Sequence, residues 1–227
     1  MVMRQPITAT RAVLRRVFFG RCFYLFVTLL ALITITPFVE AEHEGILVRY
    51  MISSLVMLAA VAAVGRSILS FVVVLTLAAP ALALRWLARD LSSPALFDLA
   101  LRFDAAVYVA TIVLLLRYVF IREVLTSDRL WGAAAVYLMI GILWSFLYSI
   151  IDRATPQSFA IRTSTDPMQL LDLLYFSFGT LTTSGFGDIV PLTQVARTAT
   201  MVEGITGQLF IAILIARLVG VYPQPEE

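Results

Sequence analysis

Apolar runs about as long as a bilayer is thick recur along this chain, and one stretch breaks their pattern. A helix needs about 20 mostly apolar residues to cross the hydrocarbon core. Segments 17–39, 46–64, 68–84, 105–121, 130–151 and 195–220 qualify, which predicts six spans and both chain ends on one side. Segment 85–104, with the string RWLARDLSSPALFDLALRF, mixes charges into a helical period and reads as an interfacial stretch leading into the fourth span. Between the fifth and sixth spans the pattern changes. Asp166 and Pro167 form an N-cap and first-turn pair, and Leu170, Leu171, Leu174, Phe178 and Leu181 then recur at helical spacing. About fourteen residues at 1.5 Å each reach roughly 21 Å, too short to cross but long enough to re-enter. The polar string TLTTSGFGDIVP, residues 180–191, follows directly.

Composition agrees with a membrane solvent. The chain has 227 residues, of which 60% are hydrophobic and 14% charged, where soluble proteins carry about 25% charged residues. Its mean hydropathy is +0.92. A net charge of +2, with no basic run of a nucleic-acid-binding kind, points away from a nucleic-acid partner. All seventeen basic residues are arginine, and no lysine or asparagine occurs. Lack of asparagine excludes N-glycosylation, and such usage fits a GC-rich bacterial gene and an inner-membrane location.

Arg4, Arg11, Arg15, Arg16 and Arg21 precede or open the first span, and the acidic loop EAEHEG follows it. The positive-inside rule therefore puts both termini in the cytoplasm. Arg66, Arg122 and Arg129 fall on the same side, and the charges of 85–104 cancel. The first apolar run is longer than the 7–15 residues of a signal-peptide core, so it reads as a span. Arg117, near the inner end of the fourth span, is placed to snorkel toward the headgroups. Cys22 and His43 offer neither an internal disulfide nor a zinc site.

The string TTSGFGD cannot face lipid, because its carbonyls would lack partners; irregular backbone at that depth survives inside protein or along an aqueous path. Gly185 and Gly187 alternate with other residues and adopt positive φ at little steric cost. Such alternation can aim successive carbonyls to one side, and the helix leading in turns its negative dipole end the same way. Both features favour a desolvated cation.

At these residues the chain resembles the potassium-channel pore family, whose filter usually reads T-T-V-G-Y-G-D. Thr182, Thr183, Gly185, Gly187 and Asp188 match it, and the resemblance extends over about residues 130–220. It implies a pore domain of outer helix 130–151, pore helix 167–181, selectivity filter 182–188 and inner helix 195–220. It also implies K+ sites formed by the carbonyls of Thr183, Ser184, Gly185 and Phe186 with the Thr183 hydroxyl, Gly187 completing the filter. Thr182, Asp188 and Glu203 would support it. Asp188 would attract cations, anchor the loop, or both. Glu203, inside the last span, would form a structural hydrogen bond behind the filter or touch ions. Ser184 stands where the family usually has valine or isoleucine, and Phe186 replaces the usual tyrosine. The Ser184 hydroxyl needs a partner, from Thr180, the Glu203 region or a trapped water, and Gly179 would leave room behind the filter.

In the last span, Gly204 is a hinge or a packing residue. Ile205, Gln208, Ala212 and Ala216 share one stripe suited to a water-filled cavity. The expected fold class is thus an all-α integral membrane protein of six helices, with the re-entrant pore helix and filter between helices five and six. It comprises a basic cytoplasmic N-terminus (1–16), a four-helix region of unassigned role (17–121), the pore domain, and a short cytoplasmic tail (221–227). The expected function is a K+-selective channel, with a weakly selective monovalent cation channel as the alternative. K+ is the permeant ion, lipid and further copies in a homotetramer are the partners, and no cofactor is expected. An intramembrane serine protease would need a histidine deep in a helix, but His43 lies in the first outer loop, so no enzyme is expected. The fourth span lacks an arginine at every third position and is no conventional voltage sensor.

Overall fold

Helices account for most of the described chain, because apolar runs in lipid must satisfy their backbone polar groups internally. The computed structural model describes residues 21–40, 54, 68–91, 93–120, 126–162 and 168–221. In chain order the elements are α1 (Arg21–Glu40), α2 (Ile68–Asp90), α3 (Pro94–Val119), α4 (Ser127–Ala154), β1 (Phe159–Ile161), α5 (Leu170–Leu181), β2 (Ile189–Pro191) and α6 (Gln194–Val221). Five helices among the described residues are long and apolar enough to cross a membrane: α1, α2, α3, α4 and α6. The sixth expected span, 46–64, lies outside the described residues, apart from Ser54.

The reading of 85–104 as one interfacial stretch is corrected. Helix α2 continues to Asp90, and α3 opens at Pro94 rather than 105, with Ser93 as its N-cap. Good helix formers carry α2 onward until Ser93–Pro94 forces the break, since proline suits the first helical turn. Arg85 and Asp104, which looked like interfacial charges, face each other across this hairpin at 2.7 Å. Asp104 is only 2% exposed, so its charge is balanced inside the protein rather than at a headgroup.

Helices α1 and α3 pack on α4, and α2 packs on α3. Phe23 and Phe26 of α1 lie with ring centroids 5.1 Å from Trp131, and Tyr108 of α3 meets Phe146 edge-on at 5.4 Å. Polar ties fix both ends of α4. At one end Asp128 accepts hydrogen bonds from the Cys22 backbone N–H and the Tyr118 hydroxyl, each at 3.0 Å. At the other, Arg153 pairs with Asp98 and lies over the Phe97 ring. The outward faces of α1 and α2 carry exposed Val27, Leu30, Phe71, Val72 and Leu75, as lipid-facing helices do. Arg117 is exposed in the last turn of α3, in place to snorkel.

Removing the Asp128 tie is expected to loosen α1 and α3 from α4 together. Asp128→Ala removes the acceptor of both these bonds, at about 1–3 kcal/mol. The check is a lower melting temperature in detergent with unchanged oligomer mass; an unchanged melting temperature would contradict it.

Candidate functional site: a short helix and the glycine-rich segment after it

Helix α5 has twelve residues, hence roughly 18 Å, short of a bilayer crossing. It starts at Leu170 rather than 167; Asp166 and Pro167 lie outside the described residues. Asp172 accepts the Gln169 backbone N–H at 2.9 Å and so closes the first turn. The helix seats against α4, where Gly141 makes room for Phe178: a Cβ there would lie 2.7 Å from the ring. Ser177 donates to the Gly141 carbonyl at 2.7 Å, and the Tyr137 hydroxyl donates to the Leu181 carbonyl at 3.2 Å.

The chain leaves α5 through a tight exit. The Thr183 N–H donates to the Thr180 carbonyl at 3.0 Å, and the Gly185 N–H to the Gly179 carbonyl at 3.1 Å. Thr183, Gly185 and Gly187 then take positive φ of 59°, 54° and 76°. Every second residue is therefore left-handed. Successive carbonyls alternate sides in a regular strand; reversing the hand at alternate residues brings them to one side. Glycine takes this at no steric cost, but β-branched Thr183 is strained, at about 1–3 kcal/mol. Gln208 of α6 reaches that threonine, its amide donating to the Thr183 hydroxyl at 3.3 Å.

The Ser184 partner differs from each expected one. Its hydroxyl lies 2.9 Å from that of Thr182, whose own proton goes to the Phe178 carbonyl at 2.6 Å. Ser184 is therefore the donor, and the two hydroxyls form a relay onto the last turn of α5. Gly179 faces Phe186 rather than Ser184, its Cβ position lying 3.6 Å from the ring. Phe186 stacks on Tyr175 at 5.4 Å and 13°, while remaining 67% exposed in the single chain. Ser184→Ala should cut the relay and cost about 0.5–1.5 kcal/mol per chain. Ionic current through the variant should decay faster than wild type; an equal decay would refute the relay's role.

After Gly187, Asp188 is bound into its loop. Its carboxylate accepts the Ile189 N–H at 3.0 Å and a hydrogen bond from the Tyr175 hydroxyl, and its carbonyl accepts the Arg162 N–H at 2.8 Å. Strands β1 and β2 pair antiparallel with Ala160 opposite Val190, joining the segment before α5 to the one after Asp188. Glu203 is 0% exposed and sits behind α5, between Tyr148 of α4 and Ser177 of α5, hydrogen-bonded to both.

Along α6, Ile205, Gln208, Ala212 and Ala216 are all exposed in the single chain. Gly204 has no neighbour within 4 Å of its Cβ position, whereas at Gly207 that position lies 2.4 Å from the Leu181 carbonyl. Sequence reading did not find Tyr137, Tyr148, Tyr175, Ser177 or Gly141. Ser177 alone carried a signal, as a polar residue on an apolar helix.

A long apolar helix (α4), a short apolar helix (α5), a segment of alternating positive φ and a second long apolar helix (α6) thus follow one another along the chain. Residues 131–222 match the family model described as Ion channel, less than half of the chain. This segment is an ion-channel domain, consistent with a pore of potassium-channel type. No curated protein and no solved structure matches the chain.

Proposed function

We propose that four copies of this chain surround one axis and form a passive, K+-selective pore. The observation that carries the reading is the positive φ at Thr183, Gly185 and Gly187, a backbone pattern that supports carbonyls turned to one side of the strand. Rings of such carbonyls replace the hydration shell of a permeating K+. The ion sites would be formed by Thr183, Ser184, Gly185, Phe186 and Gly187, with Thr182, Asp188 and Glu203 as support. Each chain supplies one filter strand, and cyclic symmetry builds the ring from identical copies. The exposed stripe of Ile205, Gln208, Ala212 and Ala216 suits a cavity below the filter. Arginines flanking the first span favour cytoplasmic termini in a bacterial inner membrane. The channel-domain match favours transport over catalysis.

A weakly selective cation pore is the second reading, favoured by Ser184, whose side chain is held by one hydroxyl relay instead of apolar packing. The deciding experiment is the bi-ionic reversal potential with K+ on one side and Na+ on the other. A potential displaced toward K+ equilibrium supports the first reading, and one near zero the second. Opening is expected to depend weakly on voltage. Arg85 is paired with Asp104, and Arg117 is at the helix end. One elementary charge crossing the field contributes roughly 2.3 kcal/mol per 100 mV, so one arginine yields a shallow response. A steep conductance–voltage curve would contradict this.

A further inference from the structure

We infer that Glu203 is a neutral acid that donates its proton to Ser177 and thereby fastens the pore helix to the inner helix, as a positioning residue for the filter. The inference rests on the channel reading above. Three helices meet at this carboxyl: Tyr148 comes from α4, Ser177 from α5, and Glu203 from α6. A hydroxyl carries one proton. The Ser177 oxygen is within hydrogen-bonding distance of two oxygens, the Gly141 carbonyl and Glu203 Oε1. The carbonyl has no proton to give, so it takes the one on Ser177. The contact between Ser177 and Glu203 then needs a proton from Glu203. Tyr148 donates to the other oxygen, Oε2.

With Glu203 ionised, one of these close oxygen pairs would hold no proton in a site closed to water, an arrangement that buried polar groups avoid. The groups facing Glu203 are also neutral: Tyr148, Ser177 and Tyr137, with Thr200 beside Tyr148. The arginines of the two described ion pairs serve Asp104 and Asp98 instead. An uncompensated charge there is disfavoured, whereas a neutral acid satisfies every contact.

The place of this knot gives it a consequence for the filter. Glu203 precedes Gly204, where no side chain or backbone of the same protomer lies within 4 Å of the Cβ position. The knot thus grips the inner helix just before a residue with open space at its Cβ position. Ser177 sits on α5 five residues before Thr182, where the filter begins. Releasing Ser177 removes one of the ties that hold this helix, leaving the Tyr137 bond to the Leu181 carbonyl.

The test uses full-length wild type, Glu203→Gln, Glu203→Ala and Ser177→Ala, purified and reconstituted. Glutamine keeps one donor and one acceptor without charge. Its current should follow the wild-type time course within about twofold, while the alanine variants should decay about tenfold faster, equivalent to about 1.4 kcal/mol. An infrared difference spectrum between wild type and Glu203→Gln at neutral pH should contain the carbonyl stretch of a protonated carboxylic acid. Absence of that band overturns the inference whatever the channel conducts. Glutamine decaying like alanine, or alanine decaying like wild type, overturns it too. Loss of assembly in both alanine variants without rescue by glutamine would reduce the knot to a folding element and equally overturn the positioning role. No flux in wild type, with the infrared band present, would instead remove the channel reading on which the filter role depends.

Discussion

Gly207→Ala is expected to yield little or no assembled protein. A Cβ at this position would lie 2.4 Å from the Leu181 carbonyl oxygen and 3.0 Å from Leu181 Cδ1. The first is a backbone atom at the end of the pore helix, which cannot swing aside as a flexible side chain would. That carbonyl also accepts the Tyr137 hydroxyl, so moving it breaks a bond to the outer helix as well. Overpacking typically costs about 1–3 kcal/mol, and a rigid backbone obstacle puts this site at the upper end in every chain. Gly204→Ala is the control, since its Cβ position has no neighbour in the same protomer. Size-exclusion chromatography of the two variants checks the contrast. Equal yields of assembled protein would contradict the close approach of α6 to α5.

Gly185→Ala is expected to have the opposite profile: assembled protein without K+ flux. No atom lies within 4 Å of its Cβ position, so packing is undisturbed. The obstacle is conformational, because φ is +54° and an L-residue pays about 1–2 kcal/mol to remain left-handed. An alanine that relaxes to negative φ turns a carbonyl away from the side proposed to face the ion, and the proposed ring of four would repeat the loss four times. Wild-type flux through Gly185→Ala, at equal reconstituted mass, would contradict the role given to this backbone.

The two glycines show what sequence could and could not tell. Gly185 was legible because a positive-φ residue within a polar stretch leaves a local mark, and the filter string added the rest. Thr183 gave no such mark. Its positive φ is imposed by its surroundings: the bond from its N–H to Thr180 and the reach of Gln208 from another helix. Gly207 lies three residues after Gly204 in the same apolar run, with no local pattern to mark it as the closely packed one. Only the approach of Leu181 separates them.

Long-range partners were the general blind spot. Long apolar helices follow from hydrophobic run lengths, which are local, and α4, α5 and α6 are helical over most of 130–151, 167–181 and 195–220. The pairing of β1 with β2 joins three-residue strands separated by the whole pore helix, too short for an alternating pattern to register. Glu203 stood out as a charge in an apolar run, but its partners Tyr148 and Ser177 lie 55 and 26 residues away. Arg85 and Asp104 misled in the opposite sense. Each read as an interfacial charge because its balancing partner was across the hairpin.

The most direct measurement of the central claim is ion flux through liposomes containing the purified protein, driven by matched K+ and Na+ gradients. The account predicts K+ flux exceeding Na+ flux by about tenfold or more, a barrier difference of at least about 1.4 kcal/mol, abolished in Gly185→Ala. Equal K+ and Na+ flux, or flux that survives in Gly185→Ala, would contradict it.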